Sequence, residues 1–141
     1  MLPEQEAVDQ ASEGQRRLVQ ALRDPACYPH PVASISIIET HISFVVLTGT
    51  FAYKIKKPVD FGFLDFTTLE KRRFFCSEEL RLNARFAPQI YLEVVPIGEM
   101  RAHPRVGATE PAFEYALKML EFSQEALGDR MLARGELPAA H

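Results

Sequence analysis

Hydrophobic residues keep two rhythms along this chain. Within residues 1–30, Val8, Ala11, Gln15, Leu18 and Leu22 recur at three- and four-residue intervals, the spacing of one amphipathic helix. Asp24-Pro25 ends it, because the residue before a proline is pushed out of helical geometry, and Tyr28-Pro29-His30-Pro31 is a stiff connector. From Ser34 the period becomes two: Ile35, Ile37 and Glu39 alternate with Ser36 and Ile38, which predicts a strand. Thr40-His41-Ile42-Ser43 then turns the chain into residues 44–47. That run and residues 51–55 are β-branched and aromatic, and they flank Thr48-Gly49-Thr50, the punctuation of a tight hairpin. Lys56-Lys57-Pro58 leaves the sheet, since proline cannot donate to a ladder.

After an aromatic loop at residues 61–66, Thr67 or Thr68 is placed to cap a long helix running to about Phe86, with Glu70 near its first turn. Leu69, Arg73, Cys76, Leu80 and Asn83 trace one stripe along it, and Phe75, Glu79, Leu82 and Phe86 an adjacent one. Residues 90–97 read as a strand, 98–111 as a loop suited to a surface hairpin, and 112–119 as strand rather than helix because of Phe113 and Tyr115. Ser123 would cap a last helix, Gln124 to about Ala133. The pattern divides the chain into a helical lead-in (1–33), a sheet-and-helix unit (34–122) and a final helical segment (123–141).

Alternation on the second hairpin strand puts Phe51, Tyr53 and Ile55 on one face and Ala52, Lys54 and Lys56 on the other. A small residue beside a lysine leaves a flat space next to a fixed positive charge. The plain alternative is an edge lysine pointing to solvent. Glu79 sits among apolar helix neighbours, where a carboxylate is costly unless it finds a cation; otherwise it is a solvated carboxylate paired with Arg72 or Arg85. Glu78 competes with it for the lysine. The hydroxyls and N–H groups of Thr40 and Ser43 could meet phosphate oxygens, although turn hydroxyls more commonly bond to their own backbone.

Composition narrows the picture. A net charge of −3 offers no bulk attraction to nucleic acid or an anionic membrane, so the positive charge is local. No apolar run approaches the roughly 20 residues needed to cross a bilayer, and the acidic N-terminus is unlike a secretory signal, so a soluble cytoplasmic protein is expected. Cys27 and Cys76 lack metal-ligand spacing, and the four histidines make no ligand pair.

The order of elements, with Phe51-Ala52-Tyr53-Lys54 resembling the kinase V-A-I-K strand and Glu79 on the following helix, resembles the small lobe of the protein-kinase-like fold. More closely, ETHISFVVLTGTFAYKIKKPVDFGFLDFTTLEKRRFFCSEELRLN, followed by APQIYLEVVPI and EYALKM, is similar to the N-terminal part of aminoglycoside-phosphotransferase-like proteins, a type often fused to a P-loop ATPase domain. The resemblance, from about Ile35 to Leu137, implies an α+β fold: five antiparallel strands, one long packed helix, and helices at both ends. It implies ATP with Mg²⁺ as cofactor, Lys54 on the nucleotide phosphates and Glu79 holding the lysine. Ala52 would lie against the adenine, and residues 119–122, including Met119 and Glu121, would form the hinge at its edge. The family's His-Gly-Asp loop and metal-binding aspartate find no match in this chain, nor does G-x-x-x-x-G-K-[ST]. The resemblance therefore implies half a nucleotide cleft, truncated and inactive alone. Its partners would be a nucleotide and either a missing second lobe or another protein meeting an exposed apolar surface; Phe61, Phe63 and Phe66 are expected to pack under the helix, and otherwise to form that surface. The alternative is a non-catalytic interaction module derived from such a lobe.

Overall fold

The computed structural model describes residues 3–108 and 111–121. Six strands, β1 (Ser36–Glu39), β2 (Ser43–Leu47), β3 (Phe51–Lys56), β4 (Tyr91–Glu99), β5 (Pro104–Val106) and β6 (Ala112–Leu120), form one sheet in the order β1-β2-β3-β6-β4-β5. Every neighbouring pair is antiparallel. One helix, α1 (Pro3–Ala21), precedes the sheet, and a second, α2 (Leu69–Asn83), lies between β3 and β4 in the chain. The α+β class holds, and the expected five strands become six. The extra strand comes from the loop expected at 98–111: β4 runs on through Gly98 to Glu99, and Pro104–Val106 pairs back against it. Pro104 is tolerated there because β5 is an edge strand, where a missing donor breaks no ladder. The last helix expected at Gln124–Ala133, with the segment 123–141, lies outside the described residues.

The β2–β3 hairpin forms as the alternation requires. Its turn uses Gly49 at φ +100°, a left-handed conformation that costs glycine nothing. Helix α1 stops at Ala21, and Asp24 caps a single 3-10 turn, Pro25–Cys27, by accepting from the Ala26 N–H. Leu18, Val19 and Leu22 are buried and join Phe44, Val46, Tyr53, Ile55, Ile97 and Ala116 in one apolar cluster. The lead-in therefore packs into the core of the sheet, and each fully buried side chain of this kind contributes about 1.5–3 kcal/mol.

Helix α2 is different. Thr68 is its N-cap, its hydroxyl accepting from the Lys71 N–H at 3.2 Å, with Glu70 in the first turn. It ends at Asn83 rather than near Phe86. The only residues it buries are Arg72 and Cys76. Leu82 and Phe86, expected on its second apolar stripe, are exposed, Phe86 at 85%. The helix packs across β6 and β4, presents Arg72, Cys76 and Glu79 inward, and leaves only the far end of that stripe, Leu82 and Phe86, to solvent.

Candidate functional site

The sheet has one face for each helix. On β3, Tyr53 and Ile55 point into the cluster beneath α1, and Ala52, Lys54 and Lys56 occupy the opposite face. Register places Val45 and Leu117 beside Lys54, and Leu47 and Met119 beside Ala52. Because α2 packs on the β6–β4 side of this face, Val45 and Leu47 stay half-buried and Ile38 exposed. The result is an open apolar shelf bordered by Lys54.

At the edge of the shelf, Lys54 Nζ donates to Glu79 Oε2 at 3.0 Å and Lys56 Nζ donates to Glu79 Oε1 at 2.7 Å. Burial acts to raise the Glu79 pKa; the Lys54 and Lys56 charges outweigh it and hold the carboxyl below its ordinary value. Glu78 instead pairs with Arg81 on the outer side of the helix. The two lysines differ: the Lys54 side chain is 24% exposed, the Lys56 side chain 8%. Lys56 also places its ammonium 5.1 Å over the Phe66 ring. Lys56, expected to leave the sheet with Lys57 and Pro58, is instead the last residue of β3. Lys56 is buried, and Lys57 pairs with Glu39, which also takes Arg16. Two ammonium groups facing one carboxylate leave a local excess of one positive charge.

A second polar chain lies behind the first. Glu114, 2% exposed, accepts from Arg72 Nε at 2.9 Å on one oxygen and from Gln15 Nε2 at 2.9 Å on the other. Gln15 Nε2 also donates to the Lys56 carbonyl at 2.7 Å, and Arg72 Nη1 donates to the Phe66 carbonyl at 2.9 Å. Sequence reasoning missed this network. Its one visible sign is a polar residue, Gln15, within the apolar stripe of the first helix.

The remaining candidates are placed as follows. Thr40 and Ser43 close their own turn: Thr40 Oγ1 accepts from the Ile42 and Ser43 N–H groups, and the Thr40 N–H donates to the Ser43 carbonyl. Met119 lies opposite Ala52 on the shelf face. The Glu121 N–H donates to the Thr50 carbonyl and its carboxylate accepts from the Gly49 N–H at 2.8 Å, which ties the end of β6 to the β2–β3 turn. Phe122 lies outside the described residues. In the aromatic loop, Phe66 is buried edge-on against Phe75, while Phe61 and Phe63 are exposed. Cys27 and Cys76 are free and buried; burial pushes the Cys76 thiol up to about 12. Two surface depressions lie elsewhere, one bordered by Gln10, Glu13, Gly14 and Arg17, the other by Arg73, Ser77, Val94, Pro96 and Tyr115. Among the described residues no helix is long and apolar enough to cross a membrane, and no group of three His, Cys, Asp or Glu side chains is placed to hold a metal ion.

Comparison with known proteins adds kinship without a function. No family model matches the chain, and no solved structure matches it. Uncharacterized proteins of Mycobacterium bovis and of two strains of Mycobacterium tuberculosis are each 42% identical to it over 91 residues, which is 62% of this chain and 18% of theirs. The chain thus spans less than a fifth of the length of the relatives it matches.

Proposed function

We propose that this chain is the nucleotide-binding small lobe of a kinase-like small-molecule phosphotransferase, similar to the aminoglycoside-phosphotransferase-like proteins. The observation that carries the reading is the Lys54–Glu79 ion pair at 3.0 Å, made between a central strand and the long helix across it, beside an apolar shelf. Kinases use a strand lysine on the nucleotide phosphates and a helix glutamate to hold that lysine. The excess ammonium charge at Glu79 is what a phosphate oxygen would neutralise. Lys54, the more exposed of the two lysines, is the group that would meet it. Val45 and Leu47, half-buried beside the buried Ala52, offer a flat apolar surface for a purine.

In this reading ATP enters with Mg²⁺, and this chain supplies the phosphate clamp. Phosphoryl transfer also needs metal ligands and a residue that orients the nucleophile, and those belong to the larger protein of which the lobe would be one part. Titration with a fluorescent ATP analogue tests the clamp. Lys54→Ala should lose most of the affinity of the unmodified chain, and equal affinity for both would remove Lys54 from its role.

A second reading is favoured by the exposure of Phe63 and Phe86, both 85%. Large aromatics left in water mark contact surfaces, and a non-catalytic lobe could use them to bind another protein. It predicts concentration-dependent association in sedimentation, relieved by Phe63→Ser with Phe86→Ser. A monomer at all concentrations would count against it.

A further inference from the structure

The polar side chains behind the shelf form a closed circuit. Gln15 of α1 donates to the Lys56 carbonyl and to Glu114; Glu114 accepts from Arg72 of α2; Glu79, seven residues further along α2, accepts from the Lys56 ammonium. Seven residues are about two helical turns, so Arg72 and Glu79 lie on one side of α2 and fix it at two heights. Gln15 is 5%, Lys56 6%, Glu114 2% and Arg72 8% exposed. At such burial each lost partner strands a polar group, so the circuit holds together or opens as a unit. Lys54 stands outside it, bonded among the described residues only to the other oxygen of Glu79, and more exposed than any member.

We propose that Lys56 is the positioning residue that seats Glu79, and that with the Gln15–Glu114–Arg72 chain it holds α2 on the sheet, so that Lys54 is free to exchange its carboxylate for an anionic ligand. The division of labour follows from geometry. A single strand lysine would have to hold the helix and bind the ligand with the same ammonium. Here the buried lysine keeps the carboxylate in place when the exposed one lets go. Helix α1 thereby becomes a determinant of the site although it lies on the other face of the sheet. The ligand part rests on the nucleotide reading above; the positioning part does not.

Cys76 supplies a reporter that needs no ligand. It lies on the inner side of α2 and is fully buried, so a thiol reagent reaches it only when α2 lifts. In the full chain carrying Cys27→Ser, labelling is followed in denaturant well below the unfolding transition. Lys56→Met and Gln15→Ala should each speed labelling at least about tenfold, the effect of stranding a buried partner. Lys54→Met should stay within about twofold of the parent, because Glu79 keeps its other lysine. Lys56→Arg should restore protection. If Lys56→Met fails to fold, Lys56→Gln, which keeps a donor at that end of the side chain without its charge, takes its place in the comparison with Lys54→Met. Unchanged labelling in the folded variants, or equal acceleration by Lys54→Met and Lys56→Met, would overturn the positioning role. In parallel, calorimetric titration with inorganic tripolyphosphate should show affinity lost in Lys54→Met. If the parent itself does not bind tripolyphosphate, the nucleotide reading fails, and the labelling result still decides the circuit.

Discussion

The two faces of the sheet are built on opposite principles. Beneath α1, the packing is aliphatic and aromatic: Leu18, Val19, Leu22, Phe44, Val46, Tyr53, Ile55 and Ile97 bury against one another. Beneath α2, the contacts that matter are ionic: Arg72 with Glu114, and Lys54 and Lys56 with Glu79. Apolar burial is non-directional and tolerates small shifts. Buried ion pairs repay their desolvation only at good geometry and return little net stability against well-packed apolar residues. The α2 side still buries Ala52, Leu117, Cys76 and Phe66, but its ion pairs give placement of charge rather than strength. The α1 side carries the larger apolar cluster, and the α2 side carries the buried charges.

Four measurements press on that contrast. The largest effect should come from Glu114→Ala, which leaves Arg72 buried without its partner and should cost about 3–5 kcal/mol in chemical denaturation. Combining it with Arg72→Met should recover part of the loss; a cost near zero for the single change would show that the ionic face is already hydrated. Next, Ile97→Ala, at a site with no exposure, should cost about 2–5 kcal/mol with no recovery by any second change on the α2 side. Acid should separate the faces without a mutation. At α2 the Lys71 bond and then Thr67 hold Asp65 at about 2, and Glu79 is also lowered. Their folded values lie below the unfolded ones, so the stability they contribute is complete above about pH 4.5 and is lost as pH falls toward about 2. Amides of α2 should then lose hydrogen-exchange protection before those of β4; simultaneous loss would dissolve the distinction. The smallest effect belongs to Phe63→Ser. That side chain is in water, so stability should move by no more than about 0.5 kcal/mol, and a larger drop would mean Phe63 is packed in solution.

The residues differ in how far their fate could be read in advance. Tyr53, Ile55 and Lys54 were assigned to their faces correctly because a strand's period of two is a property of the backbone alone. Thr68 was readable as a cap because a cap needs only its own hydroxyl and the next turn. Arg72 was not, since nothing local distinguishes a buried arginine from an exposed one. Its burial depends on Glu114, 42 residues away. Lys56 was misread for the same reason: beside Lys57 and Pro58 it looks like the start of the exit from the sheet, until Glu79 and Phe66 close over it.

Amino-acid order alone determined the hairpin and the strand faces, and narrowed the cap of α2 to Thr67 or Thr68 and the partner of Lys54 to Glu78 or Glu79, because these follow from backbone period and from the cost of an uncompensated charge. Only the tertiary structure decided that Gln15, Glu114 and Arg72 meet, that Lys56 shares Glu79, that the first helix belongs to the core, and that the chain between Gly98 and Pro111 contributes a sixth strand. Those outcomes depend on which elements come to lie over one another, and periodicity carries no information about contacts between residues far apart in the chain.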